Sequence, residues 1–401
     1  MTHIAIVGAG QAGSSAAFKL RALGHAGTIT IIGDEAFPPY QRPPLSKGYL
    51  LDHIERPRLF LKPKPSYAEN GIRLMLGTSA TGIDAPARTI TVGDETLHYD
   101  DLIFTTGSTP IALPAAIGGA LEGVYGIRTL ADIDAMAPEF VEGRKVLIAG
   151  GGYIGLEAAA ASAKKELNVT VVEMADRILQ RVAAPETSDY FRNLHQSHGV
   201  AIRESVGLAR LIGDARVTGA ELSNGDIMDV DFVLVGIGIR PNITLAKAAG
   251  VDIDNGIATD VFGQTSVPHI WAAGDCASFP FADKRIRLES VPNAIDQAEA
   301  VAANILGAQA EYIAKPWFWS DQFDVKLQIA GLNTGYDKVI SRKTARAGSV
   351  SHWYYAGETL LAVDAMNAPR EFMIGRRLIE GGKSPDTAAI ADPETDLKSL
   401  M

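Results

Sequence analysis

Two stretches of this sequence have the residues to hold a phosphate-bearing ligand. The first is Gly8-Ala9-Gly10-Gln11-Ala12-Gly13 and the second is Gly150-Gly151-Gly152-Tyr153-Ile154-Gly155. In each, the first glycine (Gly8, Gly150) permits a tight turn after a strand. The second (Gly10, Gly152) lets the backbone approach a pyrophosphate, and the third (Gly13, Gly155) lets a helix pack close to the strand. The helix start then presents unpaired N–H groups and a favourable dipole to the anion. An acid about 20 residues further on completes each pattern and could bond a ribose hydroxyl. These acids are Asp34 and Glu173. Glu35 is an alternative to Asp34, because Gly33 separates Asp34 from its strand. The bland reading of either motif is a tight turn without a ligand.

Two dinucleotide sites in one chain suit hydride transfer, in which a nicotinamide gives two electrons to a flavin. On this reading the N-terminal site holds FAD and the internal one NADH. A carboxylate at Glu173 bonds a 2′-hydroxyl and repels a 2′-phosphate, which favours NADH over NADPH. Arg177 stands near enough to soften that preference. The protein's main task would be to place the nicotinamide against the flavin and to exclude water.

The elements around these motifs repeat. His3 to Val7 reads as a strand, Ser14 to Leu23 as a helix and Thr28 to Ile32 as a second strand. The same order returns as Lys145 to Ala149, Leu156 to Lys165 and Val169 to Val172. Leu102 to Thr105, Phe232 to Val235 and Ile270 to Ala273 are buried-type strands, each stopped by glycine. The proline-rich stretch Phe37 to Ser46 reads as a rigid loop and not an element. From Pro316 onward short alternating strands appear, such as Lys326 to Ala330 and Ser351 to Tyr355, with a helical tail near Arg370 to Glu380. The expected fold is α/β: two doubly wound, Rossmann-like dinucleotide-binding domains and a C-terminal α+β domain. The expected boundaries are 1–107 with 238–315 for FAD, 108–237 for NAD, and 316–401 for the third domain.

Bulk properties remove other classes. The 401 residues are too many for one core. A net charge of −10 argues against nucleic acid as the main partner. One cysteine, Cys276, allows no intrachain disulfide and no cysteine-ligated metal cluster within the chain, so no metal is expected. No apolar run is long enough to span a bilayer, and the N-terminus reads as a strand rather than a signal peptide, so the cytoplasm is the expected location.

The chain resembles the FAD-dependent ferredoxin reductases of bacterial ring-hydroxylating dioxygenase and cytochrome monooxygenase systems. The resemblance runs nearly end to end and implies an architecture of the glutathione-reductase type. Besides the glycine motifs it rests on Arg42-Pro43-Pro44-Leu45-Ser46-Lys47, the run from Gly150 to Glu157, Gly274-Asp275, Glu289-Ser290-Val291-Pro292-Asn293-Ala294, and Pro316-Trp317-Phe318-Trp319-Ser320-Asp321-Gln322. The loop and tryptophan motifs are specific to this group. The usual Ala-Thr-Gly reads Thr105-Thr106-Gly107 here, which keeps the glycine.

The resemblance implies roles position by position. Ala12, Asp34, Arg42, Lys47, Ala80, Arg128, Asp275 and Val291 match positions that contact FAD. Lys47 is implied to lie near the flavin, paired with Glu157, where a cation would stabilise negative charge on reduced flavin. Glu157 is also implied to lie near the nicotinamide, Arg181 near the NAD adenosine, and Trp319 beside the flavin ring. Ile154 and Gly238 complete the cofactor-binding set. The plainer readings are a solvated lysine, a first-turn acid, a surface arginine and a core tryptophan; Trp317 is the candidate for core packing. The implied acceptor is a small iron–sulfur ferredoxin that serves a terminal oxygenase. Lys284, Arg285 and Arg287 form a basic cluster that could meet it, although a solvated loop is the simpler reading.

Several alternatives stand beside this one. A disulfide reductase needs a redox dithiol that one cysteine cannot supply. A cysteine-dependent NADH oxidase or peroxidase needs a thiol where Gln41 and Arg42 stand. A flavin monooxygenase, a rubredoxin reductase and an FAD-bearing interaction protein of the apoptosis-inducing-factor type remain as rivals.

Overall fold

The strand His3–Val7 is apolar almost throughout because both of its neighbours pair in parallel and helices cover the sheet. In the computed structural model, which describes every residue except 1, 345 and 347, the chain divides into two compact units. The first comprises Met1–Gln41, Glu55–Thr109 and Arg240–Pro316. The second comprises Arg42–Ile54, Pro110–Ile239 and Trp317–Met401.

The first unit is built on a five-stranded parallel sheet. Its order is Ile270–Ala272, Asp101–Phe104, His3–Val7, Thr28–Gly33, Ile72–Leu76. From the central strand the chain moves outward on one side and later returns to pair on the other. The crevice at the carboxyl end of that strand is therefore the switch point where open α/β sheets bind ligands. The glycine turn lies at this end, followed by the helix Gln11–Ala22. That helix packs on the helix Val291–Ile305, which starts at Ser290 with its hydroxyl accepting the Asn293 N–H at 3.3 Å. A three-stranded antiparallel sheet, Ala80–Asp84, Thr89–Val92 and Glu95–His98, belongs to the same unit.

The second unit repeats the plan. Its parallel sheet runs Ala201–Glu204, Asn168–Glu173, Lys145–Ala149, Phe232–Val235, Val124–Gly126. The helix Tyr153–Lys164 follows the second glycine turn. The unit also holds an antiparallel sheet of five strands, in the order Trp317–Gln322, Val325–Gly331, Thr359–Met366, Val350–Ala356, Lys338–Lys343. Helix Pro369–Glu380 packs on that sheet through Phe372, Ile374 and Leu378.

Two local expectations change. Both glycine helices begin at once after the second glycine, at Gln11 and Tyr153, rather than at Ser14 and Leu156. Glycine has low helix propensity, which disguises the first turn in the sequence. The close packing of Gly13 and Gly155 against the preceding turns overrides it. The stretch Phe37 to Ser46 is not wholly irregular either, since Pro43–Ser46 forms a short 3₁₀ turn with its prolines at the start. Among the described residues, no helix is long and apolar enough to cross a membrane.

Candidate active site

The two glycine turns show the same division of labour. A Cβ on Gly8 would lie 2.2 Å from the Thr105 carbonyl oxygen, and one on Gly13 2.1 Å from the Gly8 carbonyl oxygen. Gly8 also has φ +120°, which side-chain-bearing residues rarely adopt. A Cβ on Gly150 would lie 2.4 Å from the Gly236 carbonyl oxygen, and one on Gly155 2.1 Å from that of Gly150. By contrast, a Cβ on Gly10 or Gly152 would meet nothing within 4 Å among the described residues. The outer glycines are thus needed for packing, whereas the middle ones leave open space. Neither helix has a side-chain cap or an acid in its first turn, so its leading N–H groups are left for an anion. Both turns fit a dinucleotide pyrophosphate.

In the first unit, Gly33 passes so close to the turn that its Cβ would sit 2.4 Å from that of Ala9. Asp34 then projects into solvent, while the half-buried Glu35 accepts the Tyr40 hydroxyl at 2.5 Å. Gly274, at φ +81°, lies against Ala12 of the first glycine helix and Ala294 of the helix Val291–Ile305. Its N–H donates to Gln297 at 2.8 Å, and Asp275 accepts the Ser108 hydroxyl at 3.2 Å. Gly8, Gly10, Ala12, Gly13, Asp34 and Asp275 therefore belong to one region of this unit. Val291 opens its helix, and Ala80 opens the strand Ala80–Asp84.

In the second unit, Glu173 turns its carboxylate back on the glycine turn. It accepts the Gly151 N–H at 2.7 Å and the Ala175 N–H at 2.8 Å. Arg177 points elsewhere, donating to Ser188 at 2.5 Å. Arg181 is exposed and reaches Gly238, whose Cβ position would lie 3.9 Å from its guanidinium. Ile154 is an exposed apolar side chain on the first helical turn. Arg42 donates to the Arg128 carbonyl at 2.8 Å, which brings those two residues together.

Lys47 and Glu157 form an ion pair of 2.9 Å with the carboxylate almost fully enclosed. Lys47 follows the proline turn, and Glu157 lies on the helix after the second glycine turn. Burial pushes the Glu157 carboxyl up from the usual range, while Lys47, Ser320 and Ser46 pull it down. Both hydroxyls donate to it at 2.7 Å. Asp321 stands 3.6 Å from the Lys47 ammonium on the other side. Residue types alone do not single out Ser46, Ser320 or Asp321. They lie within the proline and tryptophan motifs, and strand periodicity could have placed Ser320 and Asp321 on opposite faces.

Trp317 and Trp319 lie on the same face of the strand Trp317–Gln322, with ring centroids 5.5 Å apart. Trp317 packs on Phe372 under the Arg376 guanidinium, which is the core role expected of it. Trp319 remains partly exposed. The basic cluster is on and beside the strand Lys284–Ile286 rather than a loop, and Lys284 and Arg285 are exposed, as the solvated reading expects, although two of the three side chains also bind backbone. Arg285 donates to the Thr259 carbonyl at 2.6 Å, and Arg287 donates to the Asp275 carbonyl at 3.1 Å and pairs with Glu289. Cys276 is buried, which pushes its thiol up, and its Sγ faces the carbonyls of Phe104 and Ala273.

Comparison with known proteins agrees with this geometry. Residues 2–298 match the pyridine nucleotide-disulphide oxidoreductase family, and residues 317–401 match the reductase C-terminal family. The chain is 43% identical to a ferredoxin–NAD(P)(+) reductase of a Sphingomonas species, covering 100% of this chain and 98% of that protein. It is 41% identical to rhodocoxin reductase of Rhodococcus erythropolis, covering 98% and 93%. The structure matches the reductase of a covalent putidaredoxin reductase–putidaredoxin complex with a TM-score of 0.96 and 37% identity, covering 100% and 98%. The family name includes a disulfide, but a single enclosed cysteine provides no redox dithiol. With both nucleotide cradles in place, the chain belongs to the pyridine nucleotide-disulphide oxidoreductase family, as an oxidoreductase that uses FAD and NAD(P)H.

Proposed function

We propose that this protein takes hydride from NADH onto FAD and passes single electrons to a small two-iron two-sulfur ferredoxin that feeds a monooxygenase or ring-hydroxylating dioxygenase. The observation that carries this reading is the paired cradle: two glycine turns in one chain, each with packed outer glycines and an open middle one. The relatives named above, which align nearly end to end, are a ferredoxin–NAD(P)(+) reductase and rhodocoxin reductase. When bound, FAD supplies the acceptor for hydride and the donor of single electrons.

The chain's own residues bind, orient and set charge. The turn at Gly8, Gly10 and Gly13, with Ala12, Asp34, Arg42, Ala80, Arg128, Asp275 and Val291, is assigned to FAD. The turn at Gly150, Gly152 and Gly155, with Ile154, Glu173, Arg181 and Gly238, is assigned to NADH. Glu173 spans its own turn and offers its remaining lone pairs to a ribose hydroxyl, which supports NADH as the donor. Lys47, fixed by Glu157, is the cation assigned to the charge that the flavin gains on reduction. Trp319 is assigned to the flavin ring as a shield. That the chain has a single cysteine, itself enclosed, supports a cytoplasmic location.

The test is direct. The purified protein should be yellow, and NADH without air should bleach it with one equivalent per flavin. Added ferredoxin should then be reduced catalytically. A colourless protein that takes up no FAD, or a flavin that NADH leaves oxidised, would sink this reading.

A further inference from the structure

Behind the Lys47–Glu157 pair lies a row of polar groups with no role in the function proposed above. Ser320 donates to Glu157 Oε1 at 2.7 Å. Gln322 Nε2 donates to Ser320 Oγ at 3.1 Å, and His195 Nε2 lies 2.8 Å from Gln322 Oε1. Ser320, Gln322 and His195 are all fully buried. Strand periodicity explains the alignment, because Phe318, Ser320 and Gln322 share one face of the strand Trp317–Gln322. On that face Phe318 meets Tyr153, Ser320 meets Glu157 and Gln322 meets His195 of the helix Pro185–Ser197.

Chemistry sets the direction of the row. An ionised carboxylate only accepts, so Ser320 directs its single hydroxyl proton to Glu157. Its oxygen is then an acceptor, which selects the amide NH₂ of Gln322. The Gln322 carbonyl is thereby turned to His195, which must carry its proton on Nε2. His195 Nδ1 is buried with no hydrogen-bond partner among the described residues, as suits the bare nitrogen of a neutral ring. Burial pushes the imidazole down to about 4, so the neutral form persists at physiological pH.

We propose that His195, Gln322 and Ser320 are positioning residues for Glu157, a one-way row of donors that keeps its carboxylate ionised and its Oε1 turned to Lys47. The relevance to flavin rests on the function proposed above, whereas the row itself does not. The other groups facing the carboxylate are Ser46 and Lys47 from the proline turn, with Asp321 reaching Lys47 from the strand. The row therefore adjusts a charge balance that Lys47 dominates.

Infrared difference spectroscopy during a pH titration of the full-length flavoprotein and of its flavin-free form reads the Glu157 carboxyl directly, with Glu157→Gln assigning the band. In Ser320→Ala and in Gln322→Leu, Glu157 should take up its proton about one pH unit or more above the parent protein. Ser320→Thr, which keeps the hydroxyl, should restore the parent titration. A Glu157 titration unmoved in folded Ser320→Ala overturns the proposal, whatever happens to turnover. That variant removes one oxygen atom and is decisive even where Gln322→Leu does not fold. If NADH fails to reduce the flavin of the parent protein, the functional reading falls while the Glu157 titration still judges the row.

Discussion

The Glu173 carboxylate accepts the N–H of Gly151, 2.7 Å away, so the acid that closes one strand also braces the turn that follows its neighbour. On the proposed assignment of Glu173 to the ribose, one residue serves both nucleotide choice and turn geometry. Replacing Glu173 with Ala should raise kcat/KM for NADPH relative to NADH by about tenfold or more, roughly 1.4 kcal/mol in discrimination. Steady-state rates with both nucleotides check this. An unchanged ratio would remove Glu173 from the ribose site.

The glycines of each turn should separate by phenotype. Gly13→Ala places a methyl against the Gly8 backbone and should destabilise the flavin-free protein by ~1–3 kcal/mol. Gly10→Ala meets nothing within 4 Å, so its flavin-free stability should lie within ~0.5 kcal/mol of the parent, yet its FAD affinity should fall by about tenfold or more. Thermal unfolding with and without FAD distinguishes the two. Gly155→Ala and Gly152→Ala should repeat the pattern with NADH.

Removing Lys47 leaves a buried carboxylate without its counter-ion. Lys47→Met should cost about 3 kcal/mol of stability and slow flavin reduction by NADH. Adding Glu157→Gln to that variant should recover most of the stability and none of the lost rate. Chemical denaturation and stopped-flow reduction measure the two effects separately.

Asp364 is buried beneath the Tyr354 and Thr187 hydroxyls, and burial pushes its carboxyl up to about 6. A raised folded-state value means that the folded protein holds the proton more tightly than the unfolded chain does. The stabilisation is complete below about 4 and is lost as pH rises through about 6. Asp364→Asn keeps the hydrogen bonds without the charge. It should gain stability relative to the parent as pH rises from 4 to 7, up to about 3 kcal/mol. The difference between variant and parent is the quantity to follow, because His195 and His352, each pushed down to about 4, give the opposite slope in both proteins. A difference that stays flat over this range would contradict the raised Asp364.

Local chemistry made much of this molecule legible from its residues. The two glycine turns, their strands and their acids follow from short-range rules, because a tight turn, a close helix and a ribose partner each demand a residue type at a set spacing. The resemblance also implied the Lys47–Glu157 pair, and the structure places the two 2.9 Å apart. What the sequence alone did not disclose was which other groups surround that pair. Ser320, Gln322 and His195 are unremarkable in sequence, and only long-range packing of helices on a strand brings them into one row, with Ser46 reaching the same carboxylate from the proline turn. Over shorter separations, of 26 and 12 positions, folding also supplies the backbone carbonyls that Arg285 and Arg287 bind. Spacing specifies contacts within a turn, whereas contacts between residues more than a hundred positions apart exist only once the sheets and helices have closed upon them.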